Sequence, residues 1–198
     1  MCIRDRCKRG LSREHSFHEF TDRLLGRGAR EPGLPSEQMP GCLLYTSDAA
    51  DAGVTVQTVL RRFGSKEGLV RAVWTAAQPE VAAQRDAAPS GDVPGAVANL
   101  VEHYEHYGDE VLQLLRQELR VPVFAEVTAV GRAFHAAWVD RVFAPWLAGR
   151  GGDGRTRLHA QLVTVCDVYT WHLLRRQAGL SRAATEQAIR ELVEGVLP

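Results

Sequence analysis

No stretch of this chain approaches the ~20 consecutive apolar residues needed to cross a bilayer, so a helical membrane protein is not the expectation. The opening Met1-Cys2-Ile3-Arg4-Asp5-Arg6 lacks the apolar centre of a secretory signal, and the expected compartment is the cytoplasm. Cysteine is sparse: Cys2, Cys7, Cys42 and Cys166 stand apart rather than in CxxC pairs, which argues against a zinc site and against a disulfide framework. Net charge is missing too, because 24 Lys and Arg balance 24 Asp and Glu. That balance excludes a wholly basic nucleic-acid coat but leaves room for a local basic face. No nucleophile–base pair, carboxylate pair, phosphate loop or metal cluster can be read, so neither an enzyme nor a cofactor or metal is expected.

What is present is 45% hydrophobic residues over 198 positions, enough for one large core or two small ones. Two short segments stand out for another reason. Met1–Arg6 back-translates without strain to ATG-TGT-ATA-AGA-GAC-AGR, which resembles the transposase mosaic-end adapter of sequencing libraries. Cys42–Asp51, CLLYTSDAAD, back-translates to a string that resembles the reverse complement of the same adapter end with its primer extension. Residues 1–51 are therefore read as artefactual or disordered. Within them, Ser16 and Glu19 have capping-box spacing ahead of Phe20 and Leu24, which predicts one short helix before a Gly/Pro-rich connection.

From Ala52 onward strand-like alternation is absent and the expected fold class is all-α. Thr55 caps a short helix, Val56 to Phe63, and Ser65 caps the next, Lys66 to about Val81. The loop from Pro89 to Gly95 is the expected domain boundary, separating residues 52–88 from a helical bundle over 93–198. Helical periodicity predicts segments at about 96–107, 109–120, 123–148, 155–178 and 182–196, with Pro122 and Pro145 as kinks or ends and Gly179 as a C-cap.

The most informative string runs from Ala52 to Leu69. It reads as turn, short helix, turn and capped helix, the geometry that presents a recognition helix to a major groove. Thr55, Gln57 and Thr58 are polar residues at the helix start, and Gln can bond an adenine edge through two hydrogen bonds. Arg61, Arg62, Lys66 and Arg71 add positive charge, with Lys66 in a first turn whose free N–H groups favour phosphate. An ordinary helical hairpin with a solvated basic face has the same composition.

Ala52-Gly53-Val54, Thr58, Phe63, Ser65-Lys66-Glu67 and Leu69 stand where the TetR family of transcriptional regulators has its characteristic residues, and the stretch is similar to the second half of that family's helix-turn-helix. The resemblance implies that Thr55 opens the recognition helix, that Val56, Gln57 and Thr58 face operator DNA, and that Lys66 holds a phosphate. Arg61 and Arg62 join the same candidate DNA-binding set. Leu60 stands where the family usually has a phosphate-binding Tyr, and Arg62 where it has His or Tyr. Arg62 can replace a phosphate contact, whereas Leu60 cannot. The two helices that precede this turn in the family have their place taken by the adapter-like sequence, so this chain is expected to bind operator DNA poorly or not at all.

The same resemblance implies a homodimer and a ligand-binding bundle. Residues 155–196 are expected to form the dimer face through Leu158, Leu162, Val165, Val168, Tyr169 and Leu173, with Ala184, Ala188, Leu192 and Val196. These stripes also suit a monomer core. A pocket for a small apolar ligand is expected among Tyr104, Leu112, Leu115, Phe134, Trp138 and Trp171, with His103, His106 or His135 as polar anchors, although each also suits an ordinary core. The expected function is a ligand-responsive repressor; the alternative is a dimeric helical small-molecule-binding module without DNA binding. His103 and His106 have the spacing to share a metal, a pattern that more often marks a solvated helix face. Cys166 reads as a buried small hydrophobe.

Overall fold

A computed structural model describes residues 61–198, which are helical and contain no strand. The expectations for residues 1–60 lie outside the described residues. Residues 61–63 are helical and turn at Gly64, whose φ of +76° is a conformation that favours glycine. Helix α1 (Lys66–Asp86) follows, then α2 (Val93–Gln117), α3 (Pro122–Val142), the single turn α4 (Ala144–Leu147), α5 (Gly152–Val165), α6 (Val168–His172), a π turn (Leu173–Gln177) and α7 (Arg182–Val196). No described helix is long and apolar enough to cross a membrane.

The chain divides into compact units of residues 1–77 and 78–198. This division lies inside α1, ahead of the loop 89–95. The reason lies in the C-terminal turns of α1, which are tied to the second unit. Gln84 and Asn99 exchange hydrogen bonds through each other's carbonyl oxygens at 2.9 and 2.6 Å. The Trp138 indole N–H donates to the Arg85 carbonyl at 3.1 Å, and Arg141 donates to the carbonyls of Ala88 and Arg85 at 2.6 and 3.0 Å.

Within the second unit α2 packs on α3, α6 and α7, while α5 packs on α3 and α7, so α2, α3, α5 and α7 close a four-helix ring. Fully buried Leu100, Val139, Phe143, Leu162, Trp171 and Ile189 are among the residues that fill it. Phe143 meets Trp138 edge-on, with centroids 6.1 Å apart at 83°.

Helix ends follow local chemistry. Asp92 caps α2 by accepting from the Gly95 N–H at 3.0 Å, so α2 begins at Val93 rather than near 96, with Pro94 in its first turn. It continues unbroken through Gly108, and the two helices expected at 96–107 and 109–120 are one. The segment expected as a single helix over 155–178 is broken instead. Asp167 accepts from the Tyr169 N–H at 2.9 Å to start α6, while the Cys166 carbonyl is taken by the Tyr104 hydroxyl at 2.9 Å. An Asp inside a helix competes for backbone donors, and here it wins. Pro145 sits in the first turn of α4 and so ends the long helix expected over 123–148. Gly179 follows the π turn with φ +71°.

Gly131 lies inside α3 and a Cβ there would meet nothing within 4 Å. Gly131→Ala is expected to stabilise the chain by about 0.5–1 kcal/mol through the lower chain entropy of alanine. A urea midpoint that does not rise would contradict the open surroundings of this position.

Candidate nucleic-acid interface and ligand core

The described part of the candidate DNA-binding segment begins at Arg61. Thr55, Val56, Gln57 and Thr58 lie outside the described residues. Arg61 and Arg62 are exposed, in keeping with a solvated basic face, and Lys66 is the first residue of α1. Ser65 caps that helix as its spacing predicts: its hydroxyl accepts from the Gly68 N–H at 3.1 Å and its carbonyl from the Leu69 N–H at 3.0 Å. A Cβ at Gly68 would run into the Phe63 carbonyl, so the turn between the two helical pieces is too tight for any larger residue there. Leu69 and Val70 are buried at 5% exposure each, which places an apolar side on the first turns of α1. Glu67 in the first turn complements the helix dipole.

The six residues expected to line a pocket are not alike. Tyr104, Leu112, Trp138 and Trp171 belong to the packed core, Leu115 packs against it, and Phe134 is half-buried outside that cluster. Their polar tips are spent within the protein. The Tyr104 hydroxyl donates to the Cys166 carbonyl at 2.9 Å, and the Trp171 indole N–H donates to Glu105 at 3.0 Å. Glu105 is also held by Arg175 at 2.9 Å, while Arg176 lies 4.6 Å over the Trp171 ring and pairs with Asp109 at 3.1 Å. Burial pushes the Glu105 carboxyl up, but the hydrogen bonds from Arg175 and Trp171 outweigh it and hold the group below the usual carboxylate range.

Open clefts occur elsewhere. One, of about 110 Å³, is lined by Pro94, Val97, Ala183, Glu186, Gln187 and Arg190, and another, of about 320 Å³, by Arg157, Ala160, Gln161, Thr164, Val165 and Val196.

The expected dimer stripe is divided by the fold. Leu158, Leu162 and Val168 are buried in the core of one chain and therefore are not available to a second copy. Tyr169, Leu173 and Leu192 are 52%, 54% and 43% exposed, and Ala184 is exposed beside the half-buried Ala188, Val165 and Val196. On α7 the inward row is Thr185, Ile189 and Val193, one residue on from the outward Ala184, Ala188 and Leu192. Helical periodicity marked the row of Ala184, Ala188 and Leu192 as apolar and left the inward row of Thr185, Ile189 and Val193 unnamed.

A cluster that sequence reasoning only touched lies at the end of α1. Arg85 is 2% exposed, with its guanidinium carbon 3.9 Å over the Trp138 ring and Nη2 3.3 Å from His135 Nδ1. The His135 ring stacks beside Trp138, with centroids 6.1 Å apart and planes 13° from parallel. Burial, reinforced by Arg85, pushes His103 down to about 3 and His135 down to about 4, so both imidazoles are neutral at pH 7. Burial likewise pushes the Cys166 thiol up to about 12, in keeping with its reading as a small core residue. His103 is half-buried, with its Nδ1 buried and unpartnered among the described residues, whereas His106 is exposed beside Glu102 at 3.9 Å, so the two imidazoles sit in different surroundings. Among the described residues no three His, Cys, Asp or Glu side chains come together to hold a metal. Arg85 follows Ala82, Ala83 and Gln84, and nothing in that run marks it as a core residue. No family model, curated protein or solved structure matches the chain.

Proposed function

We propose that the chain represents a TetR-type, ligand-responsive transcriptional repressor whose DNA-binding part is incomplete. The observation that carries this reading is the Ala52–Leu69 string, with its resemblance to the family's recognition helix and following SKE turn. The Ser65 cap and the tight Phe63–Gly68 turn supply the local geometry that such a string requires. In this reading Thr55, Val56, Gln57 and Thr58 meet bases, while Arg61, Arg62 and Lys66 meet phosphate. The regulator acts in the cytoplasm as a homodimer and is not an enzyme. Its dimer face is the outward side of the last segments, Tyr169, Leu173, Ala184, Ala188 and Leu192, which leaves large apolar side chains exposed in the single chain. Ligand in the bundle would favour a dimer whose recognition helices no longer match two half-sites.

A second reading is favoured by one contrast. Residues 78–198 form a compact helical unit, while the place of the helices that precede the recognition helix in the family is taken by adapter-like segments. A chain of this kind would dimerise and bind a small molecule without binding DNA.

Light scattering and gel-shift titration with the DNA flanking its gene separate the two. We expect a dimer that leaves the DNA unshifted, and Leu192→Glu to render it monomeric. Restoring family-type helices ahead of Ala52 should recover a shift that Gln57→Ala and Lys66→Ala each weaken. A dimer that still ignores DNA after that restoration would leave only the second reading; a wild-type monomer would remove the dimer from both.

A further inference from the structure

Folded chains leave few polar groups idle, and a buried donor that goes unmet has a cost. Where α7 lies against the start of α2, an idle donor and an idle acceptor share one place. Glu186 is half-buried and makes no hydrogen bond or ion pair among the described residues. Arg190 stands four residues further along α7, the spacing of a helical ion pair, yet its partners are others. One terminal nitrogen donates to the Gln187 side-chain oxygen, and Nε lies 3.8 Å from Glu194. That separation is too long for a hydrogen bond, and Nε is buried with no hydrogen-bond partner among the described residues. Glu194 is 56% exposed, so its attraction to Arg190 is that of a solvated helix pair and is weak.

An opening joins the two groups. Glu186, Gln187 and Arg190 line a cleft of about 110 Å³ whose apolar side is Pro94, Val97 and Ala183. Val97 belongs to the packed core, while Pro94 and Ala183 are exposed. Positions 183, 186, 187 and 190 share one face of α7, distinct from the outward row of Ala184, Ala188 and Leu192 assigned above to the dimer.

We propose that this cleft binds a short neutral α-amino acid as its zwitterion, with the ammonium on the Glu186 carboxylate, the carboxylate on the Arg190 Nε–H, and the side chain against Pro94, Val97 and Ala183. The lining carries one acid and one base. A simple anion meets repulsion from Glu186 and a simple cation from Arg190, whereas a zwitterion answers both with charge-assisted hydrogen bonds. Size sets the other limit. Drug-sized ligands occupy about 300–1,000 Å³, so a cleft of about 110 Å³ suits a ligand on the scale of alanine and excludes phenylalanine. The site is separate from the core residues discussed for the regulator's ligand and does not rest on that reading.

The test uses the full chain without DNA and titrates it, by nuclear magnetic resonance, with L-alanine, propionate, ethylamine and L-phenylalanine. Propionate and ethylamine each keep one of alanine's two charges. L-alanine should bind at least about tenfold more tightly than either, the discrimination expected of one charge-assisted hydrogen bond. Glu186→Gln should lower alanine to the level of propionate, and Arg190→Met, which removes the charge and keeps the length, to that of ethylamine. In the wild type the Arg190 Nε–Hε resonance should move with alanine and stay in place with ethylamine, a readout that needs no variant to fold. No binding of alanine, equal affinity for alanine and the two singly charged probes, phenylalanine binding as tightly as alanine, an unmoved Nε–Hε resonance, or undiminished alanine affinity in both variants would overturn the assignment.

Discussion

Trp171→Ala is expected to lower the stability of the bundle by about 3–5 kcal/mol, the usual cost of emptying a large aromatic site in a packed core. The Trp171 side chain is fully buried, and its surroundings are fitted to it on every side that the structure describes. A Cβ at Gly108 would lie 2.6 Å from the edge of its six-membered ring, so α2 approaches the indole as closely as only glycine allows. The indole N–H is held by Glu105 at 3.0 Å, Arg176 covers the ring at 4.6 Å, and Tyr104 lies 6.0 Å away. Truncation removes the ring and one donor to Glu105, and a helix pinned by its own backbone cannot collapse into the space. Gly108→Ala approaches the same contact from the other side. Its gain in helix propensity, about 1 kcal/mol, should be exceeded by the clash, so this variant loses stability where Gly131→Ala gains it. Urea unfolding of the three variants checks the argument. A Trp171→Ala loss below about 1 kcal/mol would mean the ring is not packed as described.

Acid is expected to unfold the bundle well above the carboxylate range. The folded-state values of His103 and His135 lie at about 3 and about 4, while an unfolded histidine titrates near 6.5. As pH falls below about 6.5 the unfolded chain takes up two protons that the folded chain refuses, so stability is complete above that pH and is lost on the way down. Each imidazole contributes a slope of about 1.4 kcal/mol per pH unit, so the pair removes about 5 kcal/mol between pH 6.5 and 4.5. Glu105, held below its ordinary value, adds a loss of the same sign at lower pH. Asp167, which burial pushes up, opposes it in that range. Denaturant titrations at several pH values read the slope, and His103→Leu should halve it. A flat profile from pH 7 to 5 would show that neither imidazole is buried in the neutral form.

Much of the helical framework was legible because it is written in short-range chemistry. Ser65, Asp92 and Ser181 cap helices through contacts within a few residues, and the sequence identified Ser65 in that role. Asp92 was read as loop because it sits among prolines and glycines that mask the cap. The break at Cys166–Asp167 was missed for a different reason. It depends on the Tyr104 hydroxyl, 62 residues away in sequence, taking a carbonyl that would otherwise continue the helix. The two faces of α7 were equally obscure, since alanines and branched residues alternate around it and only packing distinguishes Ile189 from Leu192. Arg85 is the clearest case of long-range chemistry: its burial depends on Trp138 and His135, contributed by another helix.

The π turn after α6 bears on how α6 and α2 are matched. It closes with the Ala178 N–H donating to the Leu173 carbonyl at 2.8 Å and the Leu180 N–H to the Leu174 carbonyl at 3.1 Å. Such a turn is a helix that has absorbed one surplus residue. Neighbouring residues on a regular helix point about 100° apart and seldom serve one partner helix. Arg175 and Arg176 are neighbours, yet they reach Glu105 and Asp109, which are one turn apart on α2. The surplus residue loosens the winding, which brings the directions of consecutive side chains closer together. A chain shorter by that single residue keeps the composition and the charges of this seam, but regular winding can satisfy only one of the two acids.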